Sequence, residues 1–167
     1  MGKCLKKKGF ILKLDPEKAY DKVSWDFLDE IMRLKGFGNR WRRWIKGCLQ
    51  NTNFSIMINR KPRGKIVASR GFGQGDPLSS FLFTILGDAL SRTIHFCMER
   101  RILKGFQIWR NMEEIALLQY ADDTIIFCPD EGDLLQNWWD VLHMFMEGSG
   151  LSLNKRKTSL IGLNVEQ

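Results

Sequence analysis

Apolar positions along the chain fall into short runs of strand length and longer stretches of helical spacing. "GFILKLD", residues 9 to 15, reads as a buried strand, and "SWDFLDEIMRLKG" as a helix with Ser24 as N-cap and Gly36 at its C-terminal stop. A second helix fits "NRWRRWIKGCLQ". "NFSIMIN" and "KIVASR" flank the turn-rich "RKPRG", which is the pattern of a β-hairpin. Asp76 and Pro77 then open the longest helical run, "PLSSFLFTILGDALSRTIHFCMER". Strands are expected at "GFQIW", "IALLQY" and "TIIFC", followed by a helix from about Asp130 to Glu147, a Gly-Ser-Gly break and a last strand around "SLIGL". The order is mixed α and β, without repeats or low-complexity linkers.

Composition narrows this. A chain of 167 residues that is 44% hydrophobic, with 11 Phe and 6 Trp, can build one sizeable core, so a single globular unit is expected. The net charge of +7 is uneven: residues 1 to 70 carry 18 Lys or Arg against 6 Asp or Glu, and the remainder 8 against 13. A basic half concentrates polyanions and makes nucleic acid a reasonable partner, with a merely solvated basic face as the plain alternative. Cys4, Cys48, Cys97 and Cys128 are scattered singly and the chain has only 2 His, which points away from a zinc site or disulfide framework and toward reduced, intracellular thiols. The longest apolar runs, such as "FLFTIL", are far short of a membrane span, so a soluble protein without membrane partners is expected.

The stretch "LLQYADDTIIFC" sets two carboxylates, Asp122 and Asp123, between two apolar runs. Side chains alternate along a strand, so both reach one site only if the chain turns there, and "YADDT" supplies a turn. Two-metal phosphoryl transfer needs carboxylates gathered around cations roughly 4 Å apart, and magnesium favours such oxygen ligands. Asp15, directly after an apolar run, is a candidate third carboxylate; followed by Pro16 it also has the form of a helix cap. In "RGFGQGDPLSSFLF", Gly71, Gly73 and Gly75 and the amide of Gln74 precede a long helix, where backbone N–H groups can approach a nucleotide or template closely. Trp41, Trp44, Trp138 and Trp139 sit at spacings typical of cores. His95 and His143 are expected to be structural, and the acidic "DEGD" at residues 130 to 133 to begin a helix.

Taken together, "KLDPEKAYDKV", "RGFGQGDPLSSFLF", "QYADDT" and "SGLSLNKRKT" resemble, in order and approximate spacing, motifs A, B, C and D of reverse transcriptases. The likeness is strongest to LINE-type, non-LTR retrotransposons of plants, to which "GFGNRWRRWIKGCLQNTNFSIMINRKPRG" is also similar between motifs A and B. The resemblance implies an α+β polymerase palm, a ferredoxin-like or RRM-like antiparallel sheet with packed helices, as one partial domain over residues 1 to 167. It implies that Asp15, Asp122 and Asp123, with the backbone carbonyl of Pro16, bind two magnesium ions, with manganese as a substitute. Tyr20 would be the aromatic gate against a ribose 2'-hydroxyl, Gln74 and Gly75 would lie beside the incoming nucleotide, and Lys157 would be a general acid toward pyrophosphate. The implied partners are an RNA template, a DNA primer and dNTPs.

Gly73 stands where such plant sequences usually have Arg, and Ser80 where they usually have Pro. Fingers and thumb are expected to be largely missing, because only "MGKCLKKKG" precedes motif A and the chain stops near "LIGLNVEQ"; activity of the chain alone is accordingly expected to be weak or absent. The alternatives are a non-catalytic retroelement remnant that acts as a basic nucleic-acid-binding module, and a metal-free structural protein in which the Asp residues are caps and turns.

Overall fold

A computed structural model describes residues 7–50, 53–73, 75–107, 113–120 and 123–164. The first strand, β1 (Gly9–Leu14), is followed by a four-residue helix α1 (Ala19–Lys22), then by α2 (Trp25–Leu34) and α3 (Asn39–Gln50). A hairpin of β2 (Asn53–Ile58) and β3 (Lys61–Val67) precedes the long α4 (Pro77–Glu99). The chain ends with β4 (Leu117–Tyr120), β5 (Asp123–Pro129), α5 (Leu134–Ser149) and β6 (Ser159–Leu163).

β4, β5, β1 and β6 form one antiparallel sheet in that spatial order. Leaving aside the segment from α1 to β3, the path is strand, helix, two strands, helix, strand, with the first and third strands central. That is the ferredoxin-like arrangement expected of a polymerase palm. The α2–α3 pair and the two-stranded sheet are inserted between the first palm strand and α4.

Local chemistry accounts for the element ends. The Ser24 side chain accepts from the Phe27 amide at 3.3 Å, one of the donors a helix start leaves orphaned. At the far end of α2, Gly36 takes φ 85°, its amide bonds Arg33 and the Phe37 amide bonds Met32, which is a Schellman stop. Asp76 caps α4 by accepting from Leu78 N–H at 2.9 Å. The hairpin turns two residues earlier than "RKPRG" suggests: Asn59 and Arg60 both have positive φ (50° and 62°), as a tight two-residue hairpin turn requires. Pro62 consequently lies inside β3, opposite Met57, in a sheet of two edge strands where a missing amide is tolerated.

Other expectations shift. Among the described residues, "GFQIW" contributes one bridge, Phe106 to Ile115; residues 108–112 lie outside them. "DEGD" leads into α5, with Asp133 at its N-cap position and Asp130 to Gly132 in the loop before it. Gly132 bends the chain at φ 50°, Asp130 N–H bonds the Lys8 carbonyl, and Glu131 binds Lys104 at 2.7 Å. The expected single core is resolved into two clusters. One, around Ile126, Cys128, Trp138 and Leu142, lies between the sheet and α5; the other, around Val23, Leu28, Met32 and Phe72, lies between α2, α3 and the start of α4. Helix α4 joins them, giving Leu82, Phe83, Ile85 and Leu86 to the second and Leu90, Ile94 and Cys97 to the first.

Of the four Trp residues expected in cores, only Trp138 is buried, and its indole N–H donates to the Lys104 carbonyl at 3.2 Å. Trp41, Trp44 and Trp139 are exposed because the buried sides of their helices are set by Ile45 and Leu49 on α3 and by Trp138 and Leu142 on α5. His95 and His143 face solvent, each one helical turn before a glutamate.

Candidate active site

The end of β1 and the start of β5 meet at one corner of the sheet. Leu14 pairs with Thr124, so continuing the register by one residue sets Asp15 opposite Asp123. Directly opposed residues of an antiparallel pair point to the same face. Tyr120 pairs with Asp123, so β4 and β5 run antiparallel side by side. Residues 121 and 122 of the expected "YADDT" turn, Asp122 among them, lie outside the described residues, as does Gln74.

Asp15 is not a helix cap. α1 begins only at Ala19, with Lys18 at the cap position and no side-chain bond there, which removes the plain reading of the Asp-Pro pair. The backbone between them is doubly constrained. Asn154 N–H donates to the Asp15 carbonyl at 2.9 Å and Glu17 N–H to the Ser152 carbonyl at 2.7 Å, bracketing a bridge between Pro16 and Leu153. These bonds use the carbonyl of Asp15 and not that of Pro16. Lys18 then takes a left-handed conformation (φ 48°, ψ 51°), which costs a non-glycine residue about 1–2 kcal/mol. Such strain is commonly kept where it shapes a site; here it turns the chain so that Tyr20 returns beside Asp15.

Asp15, Pro16, Tyr20, Asp21, Asn154 and Lys157 line an open cavity of about 390 Å³. The Lys157 ammonium lies 3.6 Å from Asp15 Oδ2, and Lys13 Nζ lies 3.5 Å from Asp123 Oδ1. Both pairs are solvent-accessible, so each contributes at most about 1 kcal/mol and is readily exchanged for another cation. Asn154 sets the turn that presents Lys157: its side-chain oxygen accepts from Arg156 N–H and its carbonyl from the amides of Lys157 and Thr158. The Tyr20 ring stacks on Phe83 with centroids 4.8 Å apart, and the Tyr20 carbonyl accepts from Phe72 N–H at 2.5 Å.

Near the cavity mouth, Lys22 donates to Glu17 Oε2 and to Ser152 Oγ, each at 2.6 Å. The hydrogen bond and charge of Lys22 hold the Glu17 carboxyl below the usual range.

Within the glycine-rich stretch, Gly71 is fixed by packing. Gly71 takes φ 77° and lies so close to the backbone of Asp21 that a side chain has no room, and its amide is engaged by the Val23 carbonyl. Gly75 takes φ 88° in open space, one residue before the α4 cap.

Of the residues predicted from sequence, Asp15, Pro16, Tyr20 and Lys157 therefore share one cavity, with Asp123 at the adjoining strand end. Lys13, Asn154 and the Lys22–Glu17–Ser152 clasp were not anticipated. Lys13 faces the same way as Asp15 by strand alternation, a signal the sequence carries once β1 is recognised. Among the described residues, no group of three His, Cys, Asp or Glu side chains comes together. The donors at the site, carboxylates with the Pro16 backbone carbonyl nearby, are hard oxygen ligands that suit magnesium.

The family model of "Reverse transcriptase (RNA-dependent DNA polymerase)" matches residues 2–166. The chain belongs to the reverse transcriptase family. It is similar to the Pol polyprotein of the type-1 retrotransposable element R2 of Popillia japonica, with 29% identity over 92% of this chain and 21% of that protein. It is also similar to the transposon TX1 uncharacterized 149 kDa protein of Xenopus laevis, with 26% identity over 89% of this chain and 11% of that one. The chain thus spans about a tenth to a fifth of the length of these relatives, and its kinship is with reverse transcriptases of non-LTR retrotransposons. Among solved structures, the telomerase of Candida albicans in complex with a fragment of telomeric RNA shares the fold, with a TM-score of 0.70 and 17% identity over 96% of this chain and 28% of that one. The reverse transcriptase palm is thereby the architecture of this chain, as the strand order indicates. Among the described residues, no helix is long and apolar enough to cross a membrane.

Proposed function

We propose that the chain is a single partial domain, the palm of an RNA-directed DNA polymerase from a LINE-type element with plant affinity, and that its cavity joins dNMP to a primer 3'-hydroxyl on an RNA template. The observation that carries this reading is the convergence of Asp15, freed from capping, with Tyr20, Lys157 and the Asp123 strand end at one corner of the sheet. Asp15, Asp122 and Asp123, with the Pro16 carbonyl, are the ligands that would hold magnesium, or manganese in its place. When bound, the ions neutralise charge developing on the attacking, transferring and leaving oxygens.

The chain's own groups have separate tasks. The Tyr20 ring, held from behind by Phe83, excludes a 2'-hydroxyl by volume. Lys157 leaves Asp15 to offer a proton from Nζ to pyrophosphate, and Lys13 keeps Asp123 oriented until substrate arrives. Gln74 and Gly75 border the nucleotide and template from the α4 side. The relatives are far longer than this chain, so turnover by the palm alone is expected to be slow.

Primer extension on an RNA template with dNTPs and magnesium tests the reading. Slow extension that disappears in Asp122→Asn and Asp15→Asn is expected. A Tyr20→Ala variant should admit ribonucleotides. Extension that survives loss of Asp122 would overturn the assignment, and magnesium-indifferent binding without extension would favour a nucleic-acid-binding remnant.

A further inference from the structure

Helix α3 is anchored on one side only. Ile45 and Leu49 are buried in the second core cluster, and Arg42 is held by Asp29 at 2.6 Å. The opposite face presents Arg40, Arg43, Trp44 and Gly47, with Trp41 and Lys46 at its margins. Trp44 is 54% exposed and Trp41 40% exposed; their rings meet edge to face with centroids 6.3 Å apart, and the Arg40 guanidinium lies 4.7 Å over the Trp44 ring. Among the described residues, no carboxylate pairs with Arg40, Arg43 or Lys46. Gly47 is unfavourable inside a helix relative to alanine, and a Cβ there would meet nothing within 4 Å, so packing does not demand it.

Exposed indoles held in place by a cation, unneutralised cations beside them, and bare backbone at the centre occur together on one face. We propose that this face of α3 binds a single strand of nucleic acid, apart from the cavity at Asp15, whose lining includes no residue of α3. Bases stack on Trp44 and Trp41, phosphates lie against Arg40, Arg43 and Lys46, and Gly47 allows the strand to approach the helix. Charge complementarity selects a polyanion, and the interleaving of aromatic rings with cations matches the alternation of base and phosphate in a single strand. A duplex offers the phosphates but hides the faces of its bases.

The test is fluorescence anisotropy of a labelled oligouridine and of a matched duplex, titrated with the full chain at several salt concentrations. Trp44→Ala is expected to weaken single-strand binding about tenfold or more with little effect on duplex, and Trp44→Phe to retain most of it. The double variant Arg40→Gln, Arg43→Gln should flatten the salt dependence by about 1.4 in slope, about 0.7 for each lost phosphate contact. Gly47→Ala should raise the melting temperature and still weaken binding. The proposal is overturned if Trp44→Ala and the double Arg variant, shown by melting to be folded, bind the single strand as the unmodified chain does, or if they lose duplex and single strand equally. It is also overturned if Trp44→Ala abolishes self-association and leaves oligonucleotide binding intact, which would make the face an interface between copies.

Discussion

Replacing Gly71 by alanine should be far more damaging than replacing Gly64, although both take the same left-handed conformation (φ 77° and 70°). A Cβ on Gly64 meets nothing within 4 Å, so only the conformational penalty applies, about 1–2 kcal/mol. On Gly71 the same atom would lie 2.5 Å from the carbonyl carbon of Asp21 and 2.8 Å from its Cα, so the two backbones must separate. Three hydrogen bonds span that junction: Gly71 N–H to the Val23 carbonyl and Trp25 Nε1–H to the Gly71 carbonyl, each 2.7 Å, and Phe72 N–H to the Tyr20 carbonyl, 2.5 Å. With each worth about 0.5–1.5 kcal/mol net, Gly71→Ala should cost about 2.5–6.5 kcal/mol in total. Urea unfolding of both variants beside the unmodified chain measures the difference. A Gly71→Ala cost within about 1 kcal/mol of that for Gly64→Ala would refute the claim that this contact fixes the backbone beneath Tyr20. Primer extension should fall with it, because the ring of Tyr20 is aimed by the backbone that Phe72 holds.

Burial pushes the Cys128 thiol up to about 11, with Asp130 and Glu131 adding to the effect. The folded form thus keeps its proton where the unfolded thiol, near 9.0, has lost it, so stability should fall as pH rises from 9 to 11, by about 2–3 kcal/mol over the window. Denaturant unfolding across that range checks this, against a Cys128→Ser or Cys128→Ala control that lacks the Cys128 contribution and keeps the same-signed one of buried Cys97; iodoacetamide at neutral pH should leave Cys128 unmodified until the chain unfolds. Trp138→Ala should cost about 3–5 kcal/mol, the usual range for emptying a buried aromatic site, whereas Trp139→Ala, on the exposed side of α5, should change the melting point little. Equal costs for the two would contradict the burial pattern of that helix.

Features governed by nearest neighbours along the chain were legible in the sequence. Ser24 and Asp76 cap their helices and Gly36 stops one because a short polar side chain, or a missing one, meets an orphaned backbone group a few residues away. Features decided by partners distant in sequence were not. The spacing of Trp41, Trp44 and Trp139 is helical whichever way the helix turns, and only the position of α2 and the sheet decides which face is covered. The same limit applied to Asp15, since Asp-Pro reads equally as a cap and as a strand-end carboxylate until the helix is seen to start at Ala19. "DEGD" was legible in part: Asp133 stands at the N-cap of α5, but a backbone bond from Asp130 to the Lys8 carbonyl and the Lys104–Glu131 pair, both distant in sequence, hold the preceding residues in a loop. The family motifs supplied what local reasoning lacked by linking residues 107 or 108 positions apart, Asp15 with the Asp122–Asp123 pair, before any strand pairing was known.

The most direct test of the site is manganese uptake, followed by electron paramagnetic resonance, on the purified chain and its Asp15→Asn variant, with melting temperatures recorded beside it. Without metal, Asp15→Asn removes both the repulsion from Asp123 opposite and the exposed Lys157 pair, worth at most about 1 kcal/mol, so it should melt at nearly the same temperature; it should lose both the bound manganese signal and the upward melting shift expected of the unmodified chain. Equal uptake and an equal shift in both proteins would show that Asp15 is not a metal ligand and would remove the basis for reading this corner of the sheet as a polymerase site.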